Sequence, residues 1–153
     1  MAQLKGQAAG AKGAAIGVRV LALLLGLYLV FNGFQKIAWF TDSSILAERL
    51  NAWLQGAAPS TRWYIETVAS PGIPLFARLV PLVELSTGAA LMLGFWTRLA
   101  AALAFLMVVN LHFARGFFYE WAFLTDGAGL PVLGSLLALA LGGSRLPFSV
   151  SKT

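Results

Sequence analysis

Apolar positions run almost unbroken through four segments of this chain, at about residues 16–40, 74–96, 97–118 and 130–148. Each is near the ~20 residues that a helix rising ~1.5 Å per residue needs to cross ~30 Å of hydrocarbon. Only Phe95 to Arg98, "FWTR", separates the second and third segments, so the pattern predicts a tight antiparallel hairpin. More than thirty residues separate the first two, long for a mere connection. Within them, "SSILAERLNAWLQG" places Leu46, Leu50, Trp53 and Leu54 at helical spacing, with Ser43 or Ser44 as N-cap and Gly56 as a stop. That predicts an amphipathic helix lying on the membrane surface. The expected fold is all-α: an integral membrane four-helix bundle over residues 16–148, tails at 1–15 and 149–153, and an extracytoplasmic amphipathic helix between helices 1 and 2.

Composition agrees with burial in lipid. The chain is 59% hydrophobic and 11% charged, with mean hydropathy +0.78, whereas soluble domains carry about a quarter charged residues. A domain of 153 residues has too little interior to hide that much apolar side chain. Basic residues precede the first apolar run, as in a secretory leader, but no small-x-small cleavage site follows, so a retained span is expected. With four spans, both termini and the "FWTR" turn share one side. That side carries Lys5, Lys12, Arg19, Arg98, Arg145 and Lys152, and no acid. The other carries Lys36, Arg49, Arg62 and Arg115 with five carboxylates, Asp42, Glu48, Glu66, Glu120 and Asp126. The positive-inside rule then places both termini in the cytoplasm and the protein in the cytoplasmic (inner) membrane. The net charge of +5 does not indicate nucleic acid, because the basic residues are scattered singly. Without cysteine, the chain has no thiol chemistry and no Cys-ligated metal.

Small residues recur every four positions at Gly134, Ala138 and Gly142, at Ala22 and Gly26, and at Ala100 and Ala104, which predicts close helix packing along those stripes. Polar residues inside the spans are fewer and more telling. Counted from Pro74, Arg78 lies ~6 Å and Glu84 ~15 Å into the second span. Glu84 is therefore near the midplane, where an ionised group costs at least ~2.5–3.5 kcal/mol and should face the bundle interior. Lys36, Asn110, His112 and Arg115 fall in the outer half with Arg78. These six residues are the candidate ligand-lining set, although Asn110 and His112 lie ~200° apart around one helix. Structural bridges clamping the bundle are one reading of them. A pocket opening toward the outer leaflet is the other, with protonatable groups against apolar walls, as a small quinone site or a bound lipid needs. No metal site is expected; the single histidine excludes a bis-histidine haem and leaves only a remote His–Met pair with Met107 or Met92. Trp39, Trp53, Trp63 and Trp121 fall on the outer side with Phe117, Phe118 and Tyr119. They form either an interfacial belt or, through Trp53, Trp63, Phe117 and Trp121, a surface for a partner.

Two stretches carry a resemblance. "LYLVFNGFQKI" ends an apolar helix in F-x-G-x-x-K (Phe31, Gly33, Lys36), and "LVELSTGAALMLGFWTRLAA" follows a mid-helix Glu with small residues and L-G-x-x-T-R. The chain in these respects resembles the DoxX/DoxD-like family of small four-helix membrane proteins, nearly throughout after residue 15. The resemblance implies a subunit of a quinone-linked or other electron-transfer complex; it carries over no catalytic set, and the CxxC motifs of some relatives have no counterpart here. The expected function is a mainly structural accessory subunit with a candidate quinone or lipid pocket, no covalent cofactor, other membrane subunits and lipids as partners, and homo-oligomerisation open. The rivals are a self-contained quinone-reactive oxidoreductase subunit, which would need an electron carrier that no motif supplies, and a small proton-coupled transporter using Glu84.

Overall fold

The computed structural model describes the backbone of residues 2–143 and 150, and the side chains of 10–143 and 150. Among the described residues every regular element is helical: α1 (Ala2–Gln35), α2 (Ser44–Leu54), α3 (Pro59–Tyr64), α4 (Ile73–Leu93), α5 (Thr97–Arg115), α6 (Ala122–Thr125) and α7 (Leu130–Gly142), with short 3-10 turns at Ile37–Phe40 and Phe117–Tyr119. Among the described residues three helices are long and apolar enough to cross a membrane, at Gly10–Gln35, Ile73–Leu93 and Thr97–Arg115. The fourth apolar helix, α7, has 13 residues, a rise of ~20 Å. The rest of the expected fourth segment, 144–148, lies outside the described residues, as do Arg145 and Lys152.

The α4–α5 hairpin forms as its sequence predicts. Gly94 takes a left-handed backbone (φ 70°) that few side chains tolerate, and Phe95 N–H returns to the Ala90 carbonyl at 2.8 Å. Trp96 is also left-handed, at φ 44°, and stacks on Phe95 with ring centroids 5.1 Å apart. Pro81 sits inside α4 without ending it, and Pro74 in its first turn gives up an N–H that has no intrahelical partner there.

Two apolar clusters organise the molecule. Ala22, Leu25 and Leu29 of α1, Leu91 of α4, Ala100, Ala101 and Ala104 of α5, and Leu133, Leu136 and Leu139 of α7 form one. Trp39, Leu46, Leu50, Ile65 and Ala69 from the α1–α4 connection form the other, against Ala77 and Val80 of α4. The small-residue stripes divide between packed and open. Ala22 is 0% and Ala104 1% exposed. At Gly26 an added Cβ would meet the Gly88 carbonyl at 2.6 Å, so α1 and α4 cross closely there. Gly134 and Gly142 have nothing within 4 Å of an added Cβ, and Ala138 is exposed. The stripe on α7 therefore faces away from the helices it was expected to contact, while Leu133, Leu136 and Leu139 make the contact.

The connection also differs from expectation. α2 forms over the expected residues, but its Leu46 and Leu50 are buried in the second cluster, so its apolar face packs on the protein rather than on a membrane surface. Its start is organised by neither serine side chain as a cap. Asp42 accepts the hydroxyl of Ser44 at 2.6 Å and its N–H at 2.9 Å, which holds the Asp42 carboxyl below its ordinary range. α3 then runs through a π-helical turn (Ile65–Ala69) toward α4, burying Thr61, Ile65 and Ala69 at four-residue intervals.

Candidate functional site

The closest ionic contact lies between the end of α1 and the middle of α4. Gly33 packs on Leu85, where an added Cβ would come within 2.7 Å of the leucine side chain. That approach brings Lys36 over Glu84. Lys36 Nζ donates to Glu84 Oε1 at 2.8 Å and Oε2 at 2.7 Å, and to the Asn32 carbonyl at 3.2 Å. An ammonium has three N–H groups, so these three acceptors satisfy it completely. The side chains are 13% and 5% exposed, so water screens the pair little. Asn32 is itself tied to its own helix, donating to the Tyr28 carbonyl at 2.9 Å.

This pair borders a cavity of about 230 Å³ between α1 and α5, roofed by the α1–α2 turn and α2. Leu29, Val108 and Leu111 are its apolar walls, and Arg49, His112 and Arg115 also line it. The two guanidiniums are braced by rings: Arg49 Cζ lies 5.4 Å from the Trp39 ring centroid and Arg115 Cζ 4.8 Å from that of Phe117. His112 Nε2 lies 2.8 Å from the Ala128 carbonyl. Its ring packs edge-on against Phe117, Phe118 and Phe123 at centroid separations of 4.9–6.3 Å. One face of His112 thus borders the cavity while its hydrogen bond anchors the loop before α7.

Residues 17–115 match the DoxX family, well over half of the 153 residues. The chain belongs to the DoxX family. It is thereby a DoxX-family membrane protein, and the matched region holds α4, α5 and most of α1's apolar stretch, together with Lys36, Glu84, His112 and Arg115. Comparison with curated proteins and with solved structures returned no match.

The expected site residues of this DoxX protein do not all converge. Lys36, Glu84, His112 and Arg115 meet at the cavity. Arg78 is exposed and folds back to donate to the Pro74 carbonyl of its own helix at 2.6 Å. Asn110 turns the other way, as its ~200° offset from His112 requires, and donates to the Tyr64 hydroxyl at 2.5 Å, tying α5 to α3. Among the expected partner-facing aromatics, Trp63 and Trp121 are 60% and 76% exposed. Phe117 is 0% exposed, because it fills the space beneath Arg115 and His112, and so offers nothing to a partner. Trp53 is half-buried and borders the cavity beside Arg49.

Two contributors escaped the sequence reading. Arg49 was counted only as a charge on the outer side, yet it follows Leu46 by three positions on a helix whose apolar face is buried, so it falls beside that face. Arg19 was counted only for topology. It is 7% exposed and donates to the Leu91 carbonyl at 2.8 Å and the Met92 carbonyl at 2.6 Å. Carbonyls in the last turn of a helix lack intrahelical donors and carry partial negative charge, so Arg19 satisfies the end of α4.

Proposed function

We propose that this DoxX protein is an accessory, non-catalytic subunit of a membrane redox complex, and that its cavity holds the polar head of a membrane-soluble ligand, a quinone or a lipid. α7 acts as the fourth span of a four-helix bundle in the cytoplasmic membrane. Both termini face the cytoplasm, and α2 and α3 lie on the outer side. The excess of Lys and Arg on the terminal side supports that orientation.

The observation that carries the reading is the Lys36–Glu84 pair at the border of a cavity with apolar walls. A single water needs about 10–15 Å³ by the same measure, so the space is many times what a structural bridge requires. It offers hydrogen-bonding groups at one end and greasy surface beside them, the combination that fixes an amphipathic head. The exposed rings of Trp63 and Trp121 support docking of a neighbouring subunit on the same side. The test is extraction of the protein purified in mild detergent, with quinones and lipids quantified by mass spectrometry. One equivalent of a single ligand class is expected, displaced when bulk is added at the cavity wall (Leu111→Trp). Recovery of no stoichiometric ligand from the folded wild-type protein defeats the ligand reading.

A further inference from the structure

The cavity has a charge asymmetry that neither a quinone ring nor a neutral lipid explains. Lys36 and Glu84 neutralise one another at 2.7 Å. Arg49 and Arg115 line the same cavity from α2 and from the end of α5, and both are exposed. Among the described residues no carboxylate lies within 4 Å of either guanidinium; the ion pairs there are Lys36–Glu84 and Arg62–Glu66. Asp126, in the segment before α7, accepts the Ala128 N–H at 3.1 Å and forms no ion pair with either arginine. The two guanidiniums are held instead by the faces of Trp39 and Phe117. A ring face fixes a guanidinium in place and leaves its in-plane N–H groups unspent. Two positioned arginines without an ion-pair partner among the described residues, beside an apolar-walled space, match an anionic oxygen head with an apolar tail.

We propose that Arg49 and Arg115 form an anion subsite at the mouth of the cavity, which takes the phosphate or carboxylate head of an amphiphile whose apolar part lies against Leu29, Val108 and Leu111. The proposal rests on the reading of the cavity as a ligand site and adds the charge of the occupant. Each arginine supplies planar, bidentate donors to the head, and Lys36, already saturated by Glu84 and Asn32, holds the floor rigid beneath it.

The experiment is native mass spectrometry of the detergent-solubilised full chain titrated with phosphatidylglycerol, phosphatidylcholine and a short-chain ubiquinone, with isothermal titration of inorganic phosphate alongside. Wild-type protein should retain one phosphatidylglycerol at least tenfold more tightly than phosphatidylcholine. Arg49→Gln and Arg115→Gln should each cut that retention about tenfold, since a charge-assisted contact of this kind is worth roughly one decade of affinity. Arg78→Gln removes an exposed arginine that does not line the cavity and should change nothing, which separates a subsite from general attraction of basic protein to anionic lipid. Displacement of the lipid by millimolar inorganic phosphate identifies the source as a soluble anion, and resistance to it identifies a lipid headgroup; either outcome upholds the subsite. Equal retention of the two phospholipids, or retention unchanged in both cavity variants while each remains folded by circular dichroism, overturns it. Ubiquinone binding without any anion preference overturns the subsite alone, whereas no stoichiometric ligand of any kind overturns the cavity reading with it.

Discussion

At the scale of single residues, the Lys36–Glu84 pair decides what α1 and α4 can tolerate. A buried ion pair is costly to break and cheap to replace, because removing one partner strands a charge whereas removing both strands none. Glu84→Leu should therefore destabilise the protein by about 3 kcal/mol in detergent unfolding, with Lys36 left facing an apolar wall. Lys36→Met combined with Glu84→Leu should recover most of that loss, giving a coupling energy of ~2 kcal/mol in the double-mutant cycle. Strictly additive single effects would show that the two side chains do not meet. The depth of Glu84 was legible in the sequence because an ionisable residue near the middle of a 21-residue apolar helix has to be answered by something. Its partner was legible only in part. Lys36, in the outer half, belongs with midplane Glu84 to one candidate set, but pairing depends on how closely Gly33 lets α1 approach Leu85, and distance between helices is not written in either helix alone.

The helices themselves show why small residues carry meaning only once a neighbour is known. Gly26 and Gly88 face one another, each with an added Cβ within 2.8 Å of the other's carbonyl oxygen, and a backbone oxygen cannot swing aside as a side chain can. Gly26→Ala should lower stability by about 2 kcal/mol by forcing α1 and α4 apart. Gly134→Ala, on the open face of α7, should be neutral or slightly stabilising, since alanine orders a helix better than glycine. Equal effects of the two substitutions in one thermal-unfolding series would contradict the observed packing. Both glycines belong to the same kind of four-residue spacing, so periodicity could not separate them. α2 illustrates the same limit. Its amphipathic pattern was readable at Leu46 and Leu50, but a pattern specifies an apolar face without saying whether lipid or Trp39 and Ile65 will cover it. The hairpin was readable from the four residues Phe95 to Arg98 between two apolar runs, whereas the left-handed Gly94 that ends α4 is seen only in the structure.

For the whole molecule, the proposed orientation rests on the sorting of charge, and single-cysteine labelling in intact cells tests it directly. Ser60→Cys should react with an impermeant maleimide and Lys12→Cys should not; the reverse pattern would invert the molecule and place the cavity on the cytoplasmic side. The proposed role of this DoxX protein is exerted in contact with other subunits. Trp63 and Trp121 are the most exposed tryptophans of the described residues, and losing a central aromatic anchor commonly costs ~2 kcal/mol or more of binding energy. The most direct test is the mass of the intact assembly released from its native membrane in the mildest detergent and measured by native mass spectrometry, for the wild-type protein and for Trp63→Ala/Trp121→Ala. The account predicts a wild-type mass equal to this chain plus at least one different subunit, and a double variant that remains folded in the membrane but is recovered without it. A wild-type protein found only as a lone monomer or homodimer would contradict the account and favour a self-contained transporter built around Glu84.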